Sequence, residues 1–500
     1  MDEKENLAID RRSVLGLAGV AALAASSARA GQSEAPAARP TLFVNIGIYR
    51  ADKVEENSAL AVVGGKIAAI GETADLQSRY PNADIYDGRG KVLLPGLVNC
   101  HAHLAATIAR GFNEDFGFPN SAKLALNPNS LLSPDERRLM VVVGALEAIR
   151  TGTTTLVENT SGIAPHAAAL ADSGLRMVFA ESVRDSTNVA GPMAPTGFAA
   201  SVQPVFSQAE REEGMARIAS LHARWHGADG GRVNVMPAAA LAETSSPELL
   251  AAVRAFADKH DLSYTIHLSQ SVAEVDFMKR WHGVSPVGFL ARHGFLGPRL
   301  FAAHLRYVSD EDIKTFGASG ASLTHQAGMA ANRGVIPPVP ALRAAGAGIA
   351  LGTDNNTNDV FSVMRTALLT ERIARTDPFP GTLPQPEDMI EDATMGGARA
   401  LGLAGQTGSI EVGKAADLIV VNTMAAHLVP YGRFISSLIH NGQPSDIESS
   451  MVAGRFIMRD RKVLTYDEAA IIAEADKVGR RIWTQVREAG PIRIPGRPNA

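Results

Sequence analysis

This sequence of 500 residues has almost no cysteine and no net positive charge, and each absence excludes a class of protein. Cys100 is the only cysteine, so no intramolecular disulfide can form and packing must stabilise the fold. The formal net charge is −4 at pH 7 with both signs intermixed, so no basic face is available to hold a phosphate backbone. Nucleic acid is therefore not expected as a partner, and a small-molecule substrate fits better. The sequence leaves open whether the chain forms a homo-oligomer.

Long hydrophobic runs are also lacking at the start of the chain. The apolar run Val14–Ala25 is too short to span a bilayer comfortably. Arg11-Arg12 precedes it and the small-x-small sequence Ala28–Ala30 follows it, so residues 1–30 resemble a twin-arginine signal, which exports folded proteins. We therefore expect a periplasmic or secreted protein with no stable membrane insertion after the signal is removed. A cytoplasmic protein with an unused extension is the alternative, which the acidic residues before Arg11 slightly favour.

Short β-like runs broken by glycine occur near both ends of the chain, for example Ala61–Val63 and Ala416–Asn422. Such strands need a partner sheet. We predict that residues 41–94 and 406–463 pair into one small β-sandwich domain, which leaves residues 95–405 as an inserted domain. Residues 464–500 are predicted to be a C-terminal helix followed by a tail.

The inserted segment alternates helical and strand patterns. Ser133-Pro134-Asp135-Glu136 predicts a capped helix start, and the next strand pattern is Thr153–Val157. The unit repeats, for example as helix Pro247–Lys259 and strand Ser263–His267. Repeated βα units over about 300 residues predict an α/β fold of the (β/α)8 TIM-barrel type. A doubly wound open sheet is the alternative.

Histidine and aspartate residues stand at the ends of the predicted barrel strands. An apolar strand ends in His101-Ala102-His103, and a period of two puts both imidazoles on one face, with Cys100 pointing away to pack. His267, His304 and Asp354 end three further strands. Any one histidine is more often a core or surface residue. Because the carboxyl ends of parallel strands meet at one rim, however, the five residues together predict a metal site.

Several stretches resemble the metal and strand motifs of the amidohydrolase superfamily, in the branch of cytosine and guanine deaminases and triazine hydrolases. The resemblance extends from Thr41 to about Leu464, in matching order and spacing. It implies a metal-dependent hydrolase. The stretches are Leu94–His103, His267–Gln270, Ala303-His304, Leu351–Asp354 and Gly408–Leu418.

The resemblance implies that His101, His103, His267 and Asp354 ligate one divalent metal, with Zn²⁺ preferred and Fe²⁺ as the alternative. His304 would lie beside a bound water as a hydrogen-bonding group. Three neutral imidazoles and a carboxylate leave an open position where a metal lowers the pKa of water towards about 7. Asp354 is then the expected proton acceptor.

This chain differs from the family pattern at three places, and each difference limits what the resemblance implies about function. Deaminases of this branch usually carry a proton-shuttling glutamate three residues after the third histidine, where this chain has Gln270. An amide can orient a substrate but cannot trade a proton near neutral pH. Glu243 or Glu274 could substitute for that glutamate, although a solvated or structural role is the more common one for such residues.

The other two departures concern the expected substrate pocket. Relatives have an Ala-Pro-His setting where this chain has the apolar Ala238–Leu241. His325–Met329 stands where relatives have His-Asn-Pro and a Ser-Asn pair, so His325 is kept as a substrate-binding candidate without its partners. Asn355 lines the pocket mouth or forms a polar turn, and residues 112–129 are the candidate lid.

Three functions remain open. The first is hydrolysis of a non-peptide C–N bond in a small amide, carbamate or heterocyclic compound, with Asp354, His304 and Gln270 as catalytic residues. The second is hydrolytic displacement of chloride, thiolate or alkoxide from an sp² carbon, for which Gln270 would be harmless. The third is a catalytically silent metal-binding or substrate-binding homologue, which retention of all five metal-site positions disfavours.

Overall fold

The computed structural model describes residues 39–115, 124–188, 202–355, 357–376 and 378–492. The predicted signal segment and the middle of the predicted lid therefore lie outside the described residues. No helix among the described residues is long and apolar enough to cross a membrane. The strands are β1 (Thr41–Arg50), β2 (Lys53–Val63), β3 (Lys66–Glu72), β4 (Asp84–Asp87), β5 (Lys91–Pro95), β6 (Leu97–Ala102), β7 (Thr153–Thr160), β8 (Arg176–Val183), β9 (Val233–Leu241), β10 (Tyr264–Leu268), β11 (Leu300–His304), β12 (Ser322–His325), β13 (Gly348–Leu351), β14 (Leu418–Asn422), β15 (Ile447–Val452), β16 (Arg455–Arg459) and β17 (Lys462–Val463).

Strands β6 to β13 form the predicted parallel barrel and are hydrogen-bonded to one another in chain order. The first and last strands meet where the His103 N–H donates to the Asp354 carbonyl at 3.2 Å and the Asp354 N–H donates to the His101 carbonyl at 2.9 Å. Gly352 permits this approach, because a Cβ there would lie 2.8 Å from the His101 Cβ. The prediction of a (β/α)8 barrel is confirmed, and the open-sheet alternative is wrong.

The helices that connect the barrel strands lie close to their predicted ranges, with ends that differ by a few residues. The predicted capping box is present, since Ser133 Oγ accepts the Glu136 N–H at 3.3 Å and the Glu136 carboxylate accepts the Ser133 N–H at 2.9 Å. The longer helices are α1 (Thr73–Arg79), α2 (Pro134–Arg150), α3 (Ala167–Ala171), α4 (Gln208–Trp225), α5 (Pro247–His260), α6 (Val272–His282), α7 (Pro286–Arg292), α8 (Asp310–Ala318), α9 (Ala327–Asn332), α10 (Val339–Ala344), α11 (Val360–Ala374), α12 (Pro386–Glu391), α13 (Phe434–Asn441) and α14 (Glu468–Ala489).

The two ends of the chain pair as predicted. Strand β14 is antiparallel to β5, with Leu418 opposite Pro95, and this pairing joins the strands before and after the barrel into one nine-stranded sheet. The sheet curls on itself, because Phe43 of β1 and Tyr86 of β4 pack against Phe456 of β16 with ring centroids 6.0 and 5.8 Å away. These aromatic side chains belong to a larger, mostly aliphatic core of the chain-end domain. The exact domain boundaries stay a prediction.

A buried ion pair ties the chain-end sheet to the barrel. Arg176, the first residue of β8, donates from Nε and Nη2 to the two carboxylate oxygens of Asp417 at 2.6 and 3.0 Å. The Ala453 N–H also donates to Asp417 at 2.7 Å. Both charged side chains are almost completely buried. The Asp417 carboxylate therefore pairs with the Arg176 guanidinium of the barrel and also accepts a backbone N–H group of the chain-end sheet.

Asp417→Asn is expected to lower the free energy of unfolding by about 3 kcal/mol, because it leaves the Arg176 guanidinium buried beside a neutral amide. Urea unfolding followed by circular dichroism measures the change. Asp476→Asn, which breaks an exposed ion pair with Arg480 on α14, is the matched control and should leave the midpoint unchanged. An Asp417→Asn protein as stable as the control would show that the pair does not hold the two parts together.

Candidate metal centre

The structure brings the five predicted metal-site residues together at the carboxyl end of the barrel. His101 lies in β6, His103 directly follows it, and the ring centroids of His101 lie 4.7 Å from His103 and 4.8 Å from His267 of β10. His304 ends β11, with its ring 5.8 Å from that of His101. Asp354 follows β13. The parallel strands thus bring residues that are far apart in the sequence together at one rim of the barrel.

The donor atoms of these residues form two overlapping groups in which all donor atoms lie within 4.8 Å of one another. His101 and His103 share one group with His267, and His101 shares the other with His304 and Asp354. The Asp354 carboxylate lies 3.7 Å from Nε2 of both His103 and His304. Within the described residues, His101 Nε2 and Asp354 Oδ2 are buried without a hydrogen-bond partner. Unpartnered donor atoms that face one another are what a bound cation would satisfy.

Burial keeps the imidazoles neutral. It lowers the pKa of His103 and of His267 to about 4, and it lowers the pKa of His101 well below its usual value. His267 Nδ1 donates to the Ala240 carbonyl at 2.7 Å, so its Nε2 lone pair faces the site. Neutral imidazoles are the ligand form that Zn²⁺ requires, and this donor set fits a divalent transition metal.

Asn99 and Glu158 support the metal-site residues from behind, and the sequence analysis missed both. Asn99 Oδ1 accepts the N–H groups of His101 and Thr353 at 3.3 and 3.2 Å, and so bridges β6 and β13. Glu158 of β7 accepts the Leu104 N–H at 3.0 Å, directly after His103. Burial raises the pKa of Glu158 to about 8. Asn99 shares the period of two with His101 and could have been found by that signal.

Backbone conformations that L-residues rarely adopt cluster at these strand ends. Asp354, His304, Leu305 and Ser269 have φ values of 65°, 82°, 45° and 50°. Such conformations cost free energy and persist where the surrounding structure holds them. Here they turn the chain at the ends of β10, β11 and β13, which directs the side chains to the rim.

Glu274 holds the loop that carries Gln270. Its two carboxylate oxygens accept the N–H groups of Ser269 and Gln270, each at 2.7 Å. Glu274 thus has the structural role that the sequence analysis gave as the more common one. Glu243 is also fully buried, and neither of its carboxylate oxygens has a partner among the described residues. Burial and the neighbouring Glu274 raise the pKa of Glu243 well above its usual value.

The predicted substrate-binding residues lie around the metal-site residues. His325 ends β12, is buried, and has its pKa lowered to about 4 by burial. Gln270 is 5% exposed, and Asn355 directly follows Asp354. Cys100 is buried and packs, as predicted.

Arg306 is a further residue beside the site, and the sequence did not indicate it. It is buried, and its Nη2 lies 3.3 Å from His304 Nδ1.

A parallel barrel with imidazoles and an aspartate at its carboxyl rim defines a class of metal-dependent barrel hydrolases. Comparison with known proteins agrees. The amidohydrolase family profile matches residues 92–457, and an imidazolonepropionase-like composite domain of bacteria matches residues 59–83. The chain belongs to the amidohydrolase family, as the sequence motifs predicted.

Relatives support this assignment at the level of whole proteins. A 5-methylthioadenosine/S-adenosylhomocysteine deaminase of Desulforudis audaxviator is 30% identical over 436 residues, which cover 85% of this chain and 95% of the relative. An adenosine deaminase from Xanthomonas campestris with bound zinc has a TM-score of 0.76 at 26% identity, covering 89% of this chain and 98% of its own. The predicted class, a hydrolase of C–N bonds other than peptide bonds, is confirmed.

A chlorohydrolase that acts on a triazine, the other kind of enzyme that the motifs resemble, appears among the solved structures. The atrazine chlorohydrolase from Arthrobacter aurescens TC1 complexed with zinc superposes with a TM-score of 0.77 at 22% identity, covering 88% of this chain and all of its own. At that identity the likeness shows a shared fold.

Replacing His101 and His103 together by alanine is expected to remove the metal, because the double variant loses two of the proposed ligands. Metal analysis of purified, dialysed protein should find about one transition-metal ion per wild-type chain and far less in the double variant. The double variant His226→Ala/His260→Ala removes two imidazoles outside the barrel rim and should keep its metal. A metal content unchanged by the first pair of substitutions would refute the ligand assignment.

Proposed function

We propose that this protein is a zinc-dependent hydrolase, with Fe²⁺ as the alternative metal, that acts on a non-peptide C–N bond of a small heterocyclic compound, amide or carbamate. His101, His103, His267 and Asp354 would hold the metal. The observation that carries the proposal is the convergence of neutral imidazoles on a carboxylate whose Oδ2 lacks a partner among the described residues. The names of the deaminase relatives agree with it.

Asp354 and His304 would carry the proton transfer and the stabilisation of charge. When bound, a divalent ion lowers the pKa of a coordinated water towards about 7. Asp354, at once a proposed ligand and a neighbour of that water, would accept the proton of the attacking water. Arg306 Nη2 donates to His304 Nδ1, so the proton of the neutral His304 ring is on Nε2, beside Asp354. His304 is then a hydrogen-bond donor to the oxygen that gains negative charge.

The residue at position 270 determines whether the site can protonate a leaving group. Its position is that of the usual glutamate, and Glu274 fixes its backbone through the Gln270 N–H. An amide orients a substrate but cannot protonate departing ammonia. This favours a second candidate function for the same site, displacement of chloride, thiolate or alkoxide from an sp² carbon, because these groups leave with less need for an acid.

A matched set of substrates tests both functions. Triazines and purines that carry an amino, chloro, methylthio or methoxy group at the same ring carbon are incubated with zinc-loaded protein, and the hydroxylated product is quantified. Release of ammonia supports the first function, and faster release of the other groups supports the second. Full metal occupancy without turnover of any member would support a catalytically silent homologue. A chelator should abolish any activity, and added zinc should restore it.

Gln270→Glu is expected to raise turnover of the amino compound by about 100-fold, because a carboxylic acid at that position can protonate the leaving nitrogen. Turnover of the chloro compound should change little. Gln77→Glu, which adds the same charge on the exposed surface of α1, is the control and should leave both rates unchanged. A folded, metal-loaded Gln270→Glu protein with no gain on the amino compound would show that the missing acid is not what limits deamination.

Two further proposals concern the location of the protein and its partners. We propose export through the segment 1–30 to the periplasm or cell exterior, and a small-molecule substrate rather than a macromolecular partner. The names of the relatives support the small-molecule substrate.

A further inference from the structure

A guanidinium lies buried beside the metal site without an acidic partner. Arg306 is 7% exposed, and no carboxylate lies within 4.0 Å of it among the described residues. Its Nε has no hydrogen-bond partner there, and its Nη2 contacts only His304 Nδ1 at 3.3 Å and the Met329 sulfur at 3.6 Å. A buried cation without a paired anion costs several kcal/mol. The fold therefore carries this charge at a cost.

The nearby carboxylates cannot neutralise Arg306, because other groups occupy them. Glu274 attracts Arg306 electrostatically, but both of its oxygens accept backbone N–H groups. Asp354 also attracts Arg306, and its carboxylate faces the imidazoles. Arg333, which follows α9, adds a second positive charge near Asp354. The carboxylates that attract Arg306 are therefore committed to other groups, and its charge has no ion-pair partner among the described residues.

The hydrogen bond to His304 does not by itself require a charged residue. A neutral donor such as an amide would keep the His304 proton on Nε2 without the cost of burying a charge. An arginine offers in addition a planar fork of donors that matches a carboxylate. The unpartnered Nε is one edge of that fork.

We infer that Arg306 binds a carboxylate substituent of the substrate, so that the natural substrate is an anionic compound. The inference rests on the proposed function and names its substrate class. His304 Nε2 faces Asp354 at 3.7 Å, whereas Arg306 contacts Nδ1 on the other side of the ring. The anion bound by Arg306 is thus separated from the reacting carbon by the width of an imidazole. It is a substituent that stays on the product, and not the leaving group.

Paired hydroxamates test this inference without turnover. A hydroxamate group binds the metal, and the other end of the molecule carries either a carboxylate or the isosteric carboxamide, on chains of three to five carbons. Isothermal titration calorimetry on zinc-loaded protein gives both affinities. For at least one chain length, the carboxylate should bind about 10-fold or more tightly than the carboxamide, and the preference should shrink as salt is added.

Arg306→Gln should reduce that preference to less than about twofold, because a single neutral amide replaces the charged fork. Arg306→Lys keeps the charge without the fork and should retain part of the preference. Arg480→Gln removes an equal charge from the exposed face of α14 and should retain all of it. Zinc content and circular dichroism verify that each variant is folded.

Two results would overturn the inference. No carboxylate preference at any chain length in the wild-type protein would refute it, even if Arg306→Gln fails to fold. A preference that survives in folded Arg306→Gln would refute it as well. Failure of every hydroxamate to bind zinc-loaded protein would instead show that the bound zinc offers no open position to a ligand, which would refute the proposed function. Equal binding of both members of each pair leaves the proposed function intact and removes only the inference about Arg306.

Discussion

The closure of the barrel at Asp354 is the constraint on which both the fold and the site depend. The backbone N–H and C=O of Asp354 bond to His101 and His103, while its carboxylate lies 3.7 Å from the imidazoles of His103 and His304. One residue thus joins the last strand to the first and supplies the negative charge of the site. The arrangement needs a φ of 65° at Asp354 and a glycine at 352, where a Cβ would lie 2.8 Å from the His101 Cβ. Loosening this closure would separate the donor atoms as well as the strands.

Burial then determines how charge is distributed around the site. The imidazoles are neutral because they are desolvated, so the negative charge of Asp354 is not cancelled by histidine. The Glu274 carboxylate accepts backbone N–H groups and so holds the loop of Gln270. Arg306 remains as a cation without a protein anion within ion-pair distance among the described residues. Charge balance at this rim therefore depends on what binds there, which links the metal, the substrate and the protein in one electrostatic system.

The sequence predicted the barrel, the pairing of the chain ends and the residues that converge at the rim, because each follows from a local period or a strand end. His101 and His103 lie two apart on one strand, and His267 and His304 end buried runs, so topology alone brings them together. It did not predict the contacts of Arg306, Glu158 or Asp417. The contacts of Glu158 and Asp417 join residues from different parts of the fold, and all three depend on side-chain direction and burial that no local pattern encodes. The role of Glu274 was left open for the same reason, since only the loop geometry shows which N–H groups its carboxylate accepts.

The residues at this rim fall into two sets that differ in their position relative to the barrel strands. His101, His267 and His304 lie in strands that pair with a neighbouring strand on each side, and His103 and Asp354 follow β6 and β13 where the barrel closes. Gln270 and Arg306 lie on loops that follow barrel strands, and His325 ends β12. A substitution at position 270 or 306 therefore alters the chemistry of the site and leaves the paired strands in place. The amide at position 270 carries no negative charge and the guanidinium at position 306 carries a positive one, so neither side chain repels an anionic substrate. The site that we propose would hold its metal with the ligand set of the family and would accept a substrate whose charge and leaving group differ from those of a neutral aminopurine.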